Sequence, residues 1–258
     1  VDPQTVDAYL ARIGAERPAT PTVEALVELH ERHLLAVPFE NLSVHLGESV
    51  VLAEDALVDK IVRRRRGGFC YELNGAFAAL LRALGFRVRL LAARVFDEHG
   101  GLGPPYDHLA LRVDAAEPLL VDVGFGQHTR RPLRLDDAGD QHDPDGVFRI
   151  APTAEGDLDV LRAGEPQYRL EPRARKLGDF TATCWWHQTS PDSYFTRSLV
   201  CSIVIPTGRV TLSGNRLIRT GNGRRVEQVL DTEAAVLAAY RRHFGLHLDR
   251  VPVVSARP

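Results

Sequence analysis

Cys70 is the residue of this sequence best placed for covalent chemistry. It follows Arg63-Arg64-Arg65-Arg66-Gly67-Gly68-Phe69 and precedes Tyr71-Glu72-Leu73-Asn74, where a helical pattern begins. A thiol at a helix N-terminus feels the positive end of the macrodipole, which favours the thiolate. The adjacent arginines push the same way, and the two glycines let the chain turn tightly and let a substrate approach the backbone. Taken alone, such a residue reads more readily as a buried structural thiol, since free cysteine is among the most buried residue types. Two further residues bear on it. His108 opens the run His-Leu-Ala-Leu-Arg-Val, and Asp122 lies within Leu-Leu-Val-Asp-Val-Gly. An ionisable group inside an apolar strand must find a partner or change its protonation. The turn-like Asp114–Pro118 joins the two runs, so antiparallel pairing can bring imidazole and carboxylate side by side. The set then reads as nucleophile, base and orienting acid. The plainer alternative is a core histidine bonded to backbone and an aspartate capping a turn.

The elements that must position these groups change character along the chain. Val6, Tyr9, Leu10 and Ile13 mark one apolar helix face. Thr20-Pro21 opens a second helix, which carries Val23, Leu26, Leu29 and Leu34 and stops before Pro38. A third helix spans about 54–64. A fourth starts near Cys70, has Leu73, Phe77, Leu80, Leu81 and Leu84 inward, and is capped by Gly85. From Phe86 the period becomes two, with strands at 86–90, 108–113 and 119–123. Shorter strand-like runs follow around 147–150, 157–161, 167–171, 182–187, 198–205, 209–212 and 216–219. The acidic stretch 131–146 reads as a surface loop, and Thr232–Phe244 as a closing helix. A helical first third followed by a β-rich remainder defines an α+β protein.

Composition narrows the classes. Of 258 residues, 44% are hydrophobic and 26% charged, within the globular range, so this is no disordered or low-complexity chain. A formal net charge of −2 gives no argument for a nucleic-acid or membrane-surface partner. No apolar run approaches the ~18 residues that span a bilayer. Val1-Asp2-Pro3-Gln4 lacks the basic and apolar regions of a secretory signal. Three cysteines without a CxxC pair suit a reducing cytoplasm. Cys184 and Cys201 lie in β-rich stretches and read as core thiols. His30/His33 and His243/His247 have helix-face spacing, but without an HExxH motif or a third ligand they read as surface histidines, and no metal is expected. Asp140, Asp143 and Asp145 lack the spacing of a calcium loop, and Gly124-Phe125-Gly126 is no dinucleotide fingerprint.

Four motifs, in order, carry a specific resemblance. Val37-Pro38-Phe39-Glu40-Asn41-Leu42, the segment Arg64–Asn74 around Cys70, Val121-Asp122-Val123-Gly124-Phe125-Gly126, and Ser190-Pro191-Asp192-Ser193-Tyr194-Phe195 resemble those of the arylamine N-acetyltransferases. The resemblance runs from about Tyr9 to Phe244. It implies a cysteine-protease-like α+β fold: a helical bundle over 1–85 with the nucleophile, a β-barrel-like part over 86–190 with the base and its carboxylate, and an α/β lid over 191–258. It implies Cys70, His108 and Asp122 as the triad and Phe39, Phe125 and Phe195 as acceptor-pocket residues. Glu40 and Arg66 match a structural pair beside the site, with Gly68 in the same loop; a buried Arg–Glu bridge would fix that loop, whereas a phosphate-attracting role for Arg63–Arg66 is the competing reading.

The implied reaction is ping-pong transfer of an acetyl group from acetyl-CoA, through a Cys70 thioester, to an arylamine or hydrazine. His108 would move the protons and the Cys70 N–H would stabilise the oxyanion. Two departures from the family pattern stand out: Gln127-His128-Thr129 replaces a further glycine after the Asp motif, and Tyr106-Asp107 precedes His108 where smaller residues are usual. The short stretch after Phe244 resembles the related ansamycin amide synthases. These would take a polyketide from an acyl carrier protein and close a macrolactam on an aromatic amine. A Cys-His-Asp hydrolase and a non-enzymatic binding module with a vestigial triad are further alternatives.

Overall fold

The computed structural model describes residues 1–254, so the last four positions of the expected 191–258 unit lie outside the described residues. Helix α5 (Cys70–Ala83) is its central element, and every residue from Cys70 to Leu81 is buried. Its alanines and Gly75 leave room for close neighbours: a Cβ on Gly75 would stand 2.5 Å from Leu57. Around α5 pack α1 (Pro3–Ile13), α2 (Val23–Ala36) and α4 (Glu54–Val62). Helix α1 opens on Asp2, which accepts from Thr5 N–H, and closes on left-handed Gly14. Helix α2 starts at Val23, not at Pro21, because the Thr22 hydroxyl caps Ala25 N–H and leaves Pro21 outside the helix. Helix α4 ends at Val62, slightly earlier than the sequence pattern indicates.

Between these helices lie the short strand β1 (Phe39–Glu40) and the short helix α3 (Leu42–Leu46). Beyond α5 the chain builds eight strands: β2 (Arg87–Val95), β3 (His108–Asp114), β4 (Pro118–Val121), β5 (Leu133–Arg134), β6 (Gln141–Asp143), β7 (Gly146–Pro152), β8 (Leu158–Arg162) and β9 (Glu165–Arg175). They form one antiparallel sheet in the order β5-β4-β3-β2-β9-β8-β7-β6. Register shifts in β2–β9 and β8–β9 help it curl. The Gln141 side chain joins the two edge strands, accepting from Arg134 N–H at 2.8 Å and donating to the Arg134 carbonyl at 2.9 Å. An amide side chain thus stands where a ladder bond would close a barrel. The stretch 131–146 is therefore partly strand, contrary to its reading as a loop, because Asp143 accepts the N–H groups of Arg130 and Arg131 and draws the two edges together.

A second correction concerns 182–187. These residues are helical, within α6 (Thr181–Thr189), which continues a 3-10 turn at Leu177–Phe180. The β-favouring Trp185 and Trp186 misled the local reading, and the burial of Cys184 and His187 on one side settles a helix. Cys184 is still a core thiol, as is Cys201 in its strand. Helix α7 (Tyr194–Arg197) follows. Then β10 (Val200–Ile205), β11 (Gly208–Ser213), β12 (Arg216–Gly221) and β13 (Arg224–Val229) form a second antiparallel sheet, with β1 paired to β10. Leu212, Val210, Ile203 and Cys201 turn one face of that sheet onto α8 (Glu233–Phe244). No helix among the described residues is long and apolar enough to cross a membrane.

Candidate active site

Cys70 is the first residue of α5, and Phe69 before it is extended, so the thiol sits at the helix start. The loop leading to it is held from below by buried charges. Arg66 lies 2.9 Å from Glu40 and 3.1 Å from Glu48, and Lys60 lies 2.6 Å from Glu72. The Glu72 carboxylate also accepts from Phe69 N–H, so one ion pair fixes the residue before the nucleophile. Arg66 is thus buried in ion pairs within the fold, whereas Arg63, Arg64 and Arg65 face solvent. The expected help of the arginine run to the thiolate is overturned: Arg66 is paired away and the others point outward. The glycines have a different purpose from the one expected. A Cβ on Gly67 would stand 1.9 Å from the Pro38 carbonyl, and one on Gly68 would stand 2.6 Å from Glu72. The loop needs glycine for close packing of chain on chain, and neither residue has positive φ.

His108 opens β3, and Asp122 follows the last residue of β4 instead of lying inside the strand. Leu111 pairs with Val121, so the two are diagonal neighbours across the ladder. His108 Nε2 meets Asp122 Oδ2 at 2.7 Å. Asp122 Oδ1 accepts from the Asn74 amide at 2.8 Å and from Gly124 N–H at 2.9 Å. Burial alone would raise the Asp122 carboxyl, but His108, its hydrogen bond and Asn74 hold it well below the usual range. Nε2 is thus committed to the carboxylate, which leaves Nδ1 as the other proton-exchanging nitrogen of the ring. The thiol itself is pushed up by burial, and by the charges of Asp107 and Asp122, while Leu109 N–H pulls the other way. Ionisation at the sulfur therefore depends on a base taking the proton.

One cavity of about 460 Å³ opens on Cys70 and His108 and is lined by Phe39, Phe125, Phe195 and Tyr194 among others. The three phenylalanines singled out from sequence all reach it. Phe39 and Phe195 stand 6.1 Å apart, and Phe125 meets the His108 ring edge-on at 5.2 Å.

Several residues of this neighbourhood had no assigned role in the sequence, Tyr106 and Asp107 standing out there only as a departure from the family pattern. Asn74, one turn along α5 from Cys70, bridges Asp122, the Leu109 carbonyl and Val123 N–H. Asp107 faces the cavity and lies 3.0 Å from His187 Nε2, whose Nδ1 meets the Ser193 hydroxyl at 3.1 Å. Tyr106 takes a left-handed φ of 63°, held there by the Tyr71 hydroxyl donating to the Tyr106 and Asp107 carbonyls. The i, i+4 spacing of Cys70 and Asn74 was a readable signal; the Asp107–His187 contact had none, because its halves lie far apart in sequence.

His30 and His33 are not surface residues, as their spacing indicated, but wholly buried. His30 Nδ1 lies 2.8 Å from the Arg130 carbonyl and Nε2 lies 3.2 Å from the Asp122 carbonyl, which ties α2 to the backbone that carries Asp122. His33 Nε2 meets the Tyr9 hydroxyl at 3.1 Å. Among the described residues no cluster of three or more metal-ligating side chains occurs.

A buried thiol and a histidine–carboxylate pair beside one aromatic cavity, in an α+β scaffold, are the parts of a cysteine-centred acyl-transfer enzyme, a transferase or a hydrolase. Comparison with known proteins is specific. Residues 22–253 match the N-acetyltransferase family. The arylamine N-acetyltransferase / N-hydroxyarylamine O-acetyltransferase of Salmonella typhimurium is 36% identical over 95% of this chain and 89% of its own. The solved arylamine N-acetyltransferase from Salmonella typhimurium superposes with a TM-score of 0.89, at 34% identity, over 96% of this chain and 93% of that one. The Mycobacterium marinum arylamine N-acetyltransferase, solved in complex with CoA, gives 0.85 at 34% identity over 93% and 92%. The chain belongs to the arylamine N-acetyltransferase family, and its fold is that family's α+β architecture of helical bundle, barrel-like sheet and lid.

Proposed function

We propose that this protein transfers an acetyl group from acetyl-CoA to the nitrogen of an arylamine or hydrazine by a ping-pong route through Cys70. The observation that carries the reading is the opening of Cys70 and of His108, itself paired with Asp122 behind it, onto one cavity with aromatic walls. In the first half-reaction His108 Nδ1 takes the thiol proton as Sγ attacks the thioester carbonyl. Asp122 steadies the imidazolium, and the Cys70 N–H at the start of α5 faces the developing oxyanion. The tetrahedral centre collapses, the C–S bond to CoA breaks, and His108 returns the proton to the departing thiolate. Exchange of one thioester for another is nearly neutral in free energy. In the second half-reaction the amine attacks the acetyl-cysteine and His108 accepts its proton. Cys70 then leaves and is reprotonated. An arylamine is uncharged at neutral pH, so its lone pair is free, and the amide product is more stable than the thioester. Phe39, Phe125 and Phe195 hold the ring by stacking.

On the same reading, residues 1–85 supply the nucleophile, 86–190 the base and its acid, and 191–254 of the expected 191–258 unit cover the acceptor side. A cavity of about 460 Å³ suits one or two rings better than the long polyketide that a macrolactam-forming amide synthase would take from an acyl carrier protein. Intact-protein mass spectrometry after mixing with acetyl-CoA, beside a Cys70→Ala control, tests the first half. One acetyl adduct is expected on the parent alone, discharged by adding an arylamine. An adduct only from a bulky aromatic acyl thioester would transfer the reading to the amide synthase. No adduct from either would overturn the covalent route.

A further inference from the structure

The sheet β1-β10-β11-β12-β13 has two unlike faces. Period-two alternation sends Cys201, Ile203, Val210 and Leu212 into the core under α8. The opposite face carries Ser202, Arg209 and Thr211 into the wall of the active-site cavity. Ser202 and Thr211 are cross-strand partners with their hydroxyl oxygens 2.8 Å apart, and Arg209 Nη1 donates to the Ser202 hydroxyl at 3.2 Å. Phe39 is the Cα partner of Ser202 on the other side, so this polar group adjoins the aromatic wall.

Among the described residues no carboxylate forms an ion pair with Arg209. Asp145, the acid whose charge acts on it, is already paired with Arg130 at 3.1 Å, and Arg162 donates to the Asp145 carbonyl. Burial pushes the Arg209 guanidinium down to about 10, against the pull of Asp145 and with Arg130 and Arg162 pushing the same way, so it stays cationic at neutral pH. A half-buried cation without a counter-ion is unfavourable in a merely structural role. The guanidinium fork is, in turn, the group best shaped to receive two oxygens of one anion.

We infer that Arg209, with Ser202 and Thr211, forms an anion-binding end of the active-site cavity that receives a carboxylate or phosphate oxygen of a bound substrate. The inference rests on the acetyltransferase reading for the identity of those substrates. The anion has two possible sources: an acidic substituent on the aromatic ring of the acceptor, or the phosphates of the CoA donor.

Calorimetric binding to the parent, R209Q and R209K distinguishes them with two matched pairs: 4-aminobenzoate against 4-aminobenzamide, and CoA against pantetheine. The parent is expected to prefer the anion in at least one pair. R209Q should lower that preference about ten- to a hundredfold, the loss of a charge-assisted contact. R209K should keep part of it, since charge remains without the fork. A change in the first pair assigns the site to the acceptor, and a change in the second assigns it to the donor. If R209Q does not fold, Ser202→Ala and Thr211→Val, which release the guanidinium from its hydroxyl support, must lower the same ratio. A parent indifferent to charge in both pairs, or a preference untouched in the folded variants, overturns the inference. Because binding is read without turnover, a protein that binds the anion yet never forms an acetyl-enzyme refutes the acetyltransferase reading and leaves this site standing.

Discussion

At Cys70 two opposing influences meet. The helix start and Leu109 N–H favour the thiolate, while burial, Asp107 and Asp122 oppose it. Proton removal by His108 then decides reactivity. Cys184, pushed up to about 12 by burial, and Cys201, also raised by burial, lie away from the cavity, whereas Cys70 lines it. Iodoacetamide at neutral pH is therefore expected to label a single cysteine, Cys70, as mapped by peptide mass spectrometry. His108→Gln should slow that labelling by about a hundredfold or more, in line with the worth of a positioned base. Equal rates in parent and variant would show that His108 does not serve the thiol. The Cys70–Asn74 spacing shows what a single helix makes readable: residues i and i+4 share a face, so both were bound to reach the same neighbours.

The elements hold the site by close contact rather than by loops tailored to it. Gly124, after Asp122, is where the chain carrying the carboxylate crosses the start of α5: a Cβ there would stand 2.8 Å from Cys70 Cα and 2.7 Å from the Asn74 amide. Backbone cannot yield as a flexible side chain would, so Gly124→Ala should destabilise by about 1–3 kcal/mol and displace the base from the thiol. Thermal denaturation and acetyl-enzyme formation, measured together, check both effects. The Arg66–Glu40 pair secures the other side of the loop. Arg66→Ala leaves Glu40 buried without its guanidinium, and a loss of about 3–5 kcal/mol is expected in urea unfolding. A loss below ~1 kcal/mol would show that Lys60, which also acts on Glu40, suffices.

Across the whole molecule, buried histidines make stability depend on acid. Burial depresses His30 and His33 below their ordinary value of 6.5, and it lowers His128 to about 4. Between pH 4 and 6.5 the unfolded chain binds protons that the folded chain refuses, so stability rises with pH through that window. For His128 alone the difference amounts to roughly 3 kcal/mol, fully present above 6.5 and lost as pH falls to about 4. Asp122, held low in the fold, adds a further loss as pH falls below its ordinary value of 3.8. Melting temperatures taken from pH 7 to 4 should fall, and His128→Gln, which keeps a polar partner for the Tyr168 hydroxyl, should flatten the slope. An unchanged slope would mean that His128 does not titrate on unfolding.

Local periodicity made the α+β class, the helix through Cys70, the strand that His108 opens and the strand that ends just before Asp122 legible in the sequence, and the resemblance to a family's linked motifs added the three cavity phenylalanines, because each depends on near neighbours or on a run of linked motifs. Tertiary structure alone decided the rest. It drew Trp185 and Trp186 into a helix, buried His30 and His33 beneath the Asp122 backbone, closed the barrel edges through Gln141, and turned the arginine run away from the thiol. It also brought Asp107 to His187, and Arg209 to the wall that Phe39 begins. Those outcomes depend on burial and on pairings across long stretches of chain, and no local pattern encodes which distant groups will share a dry interior.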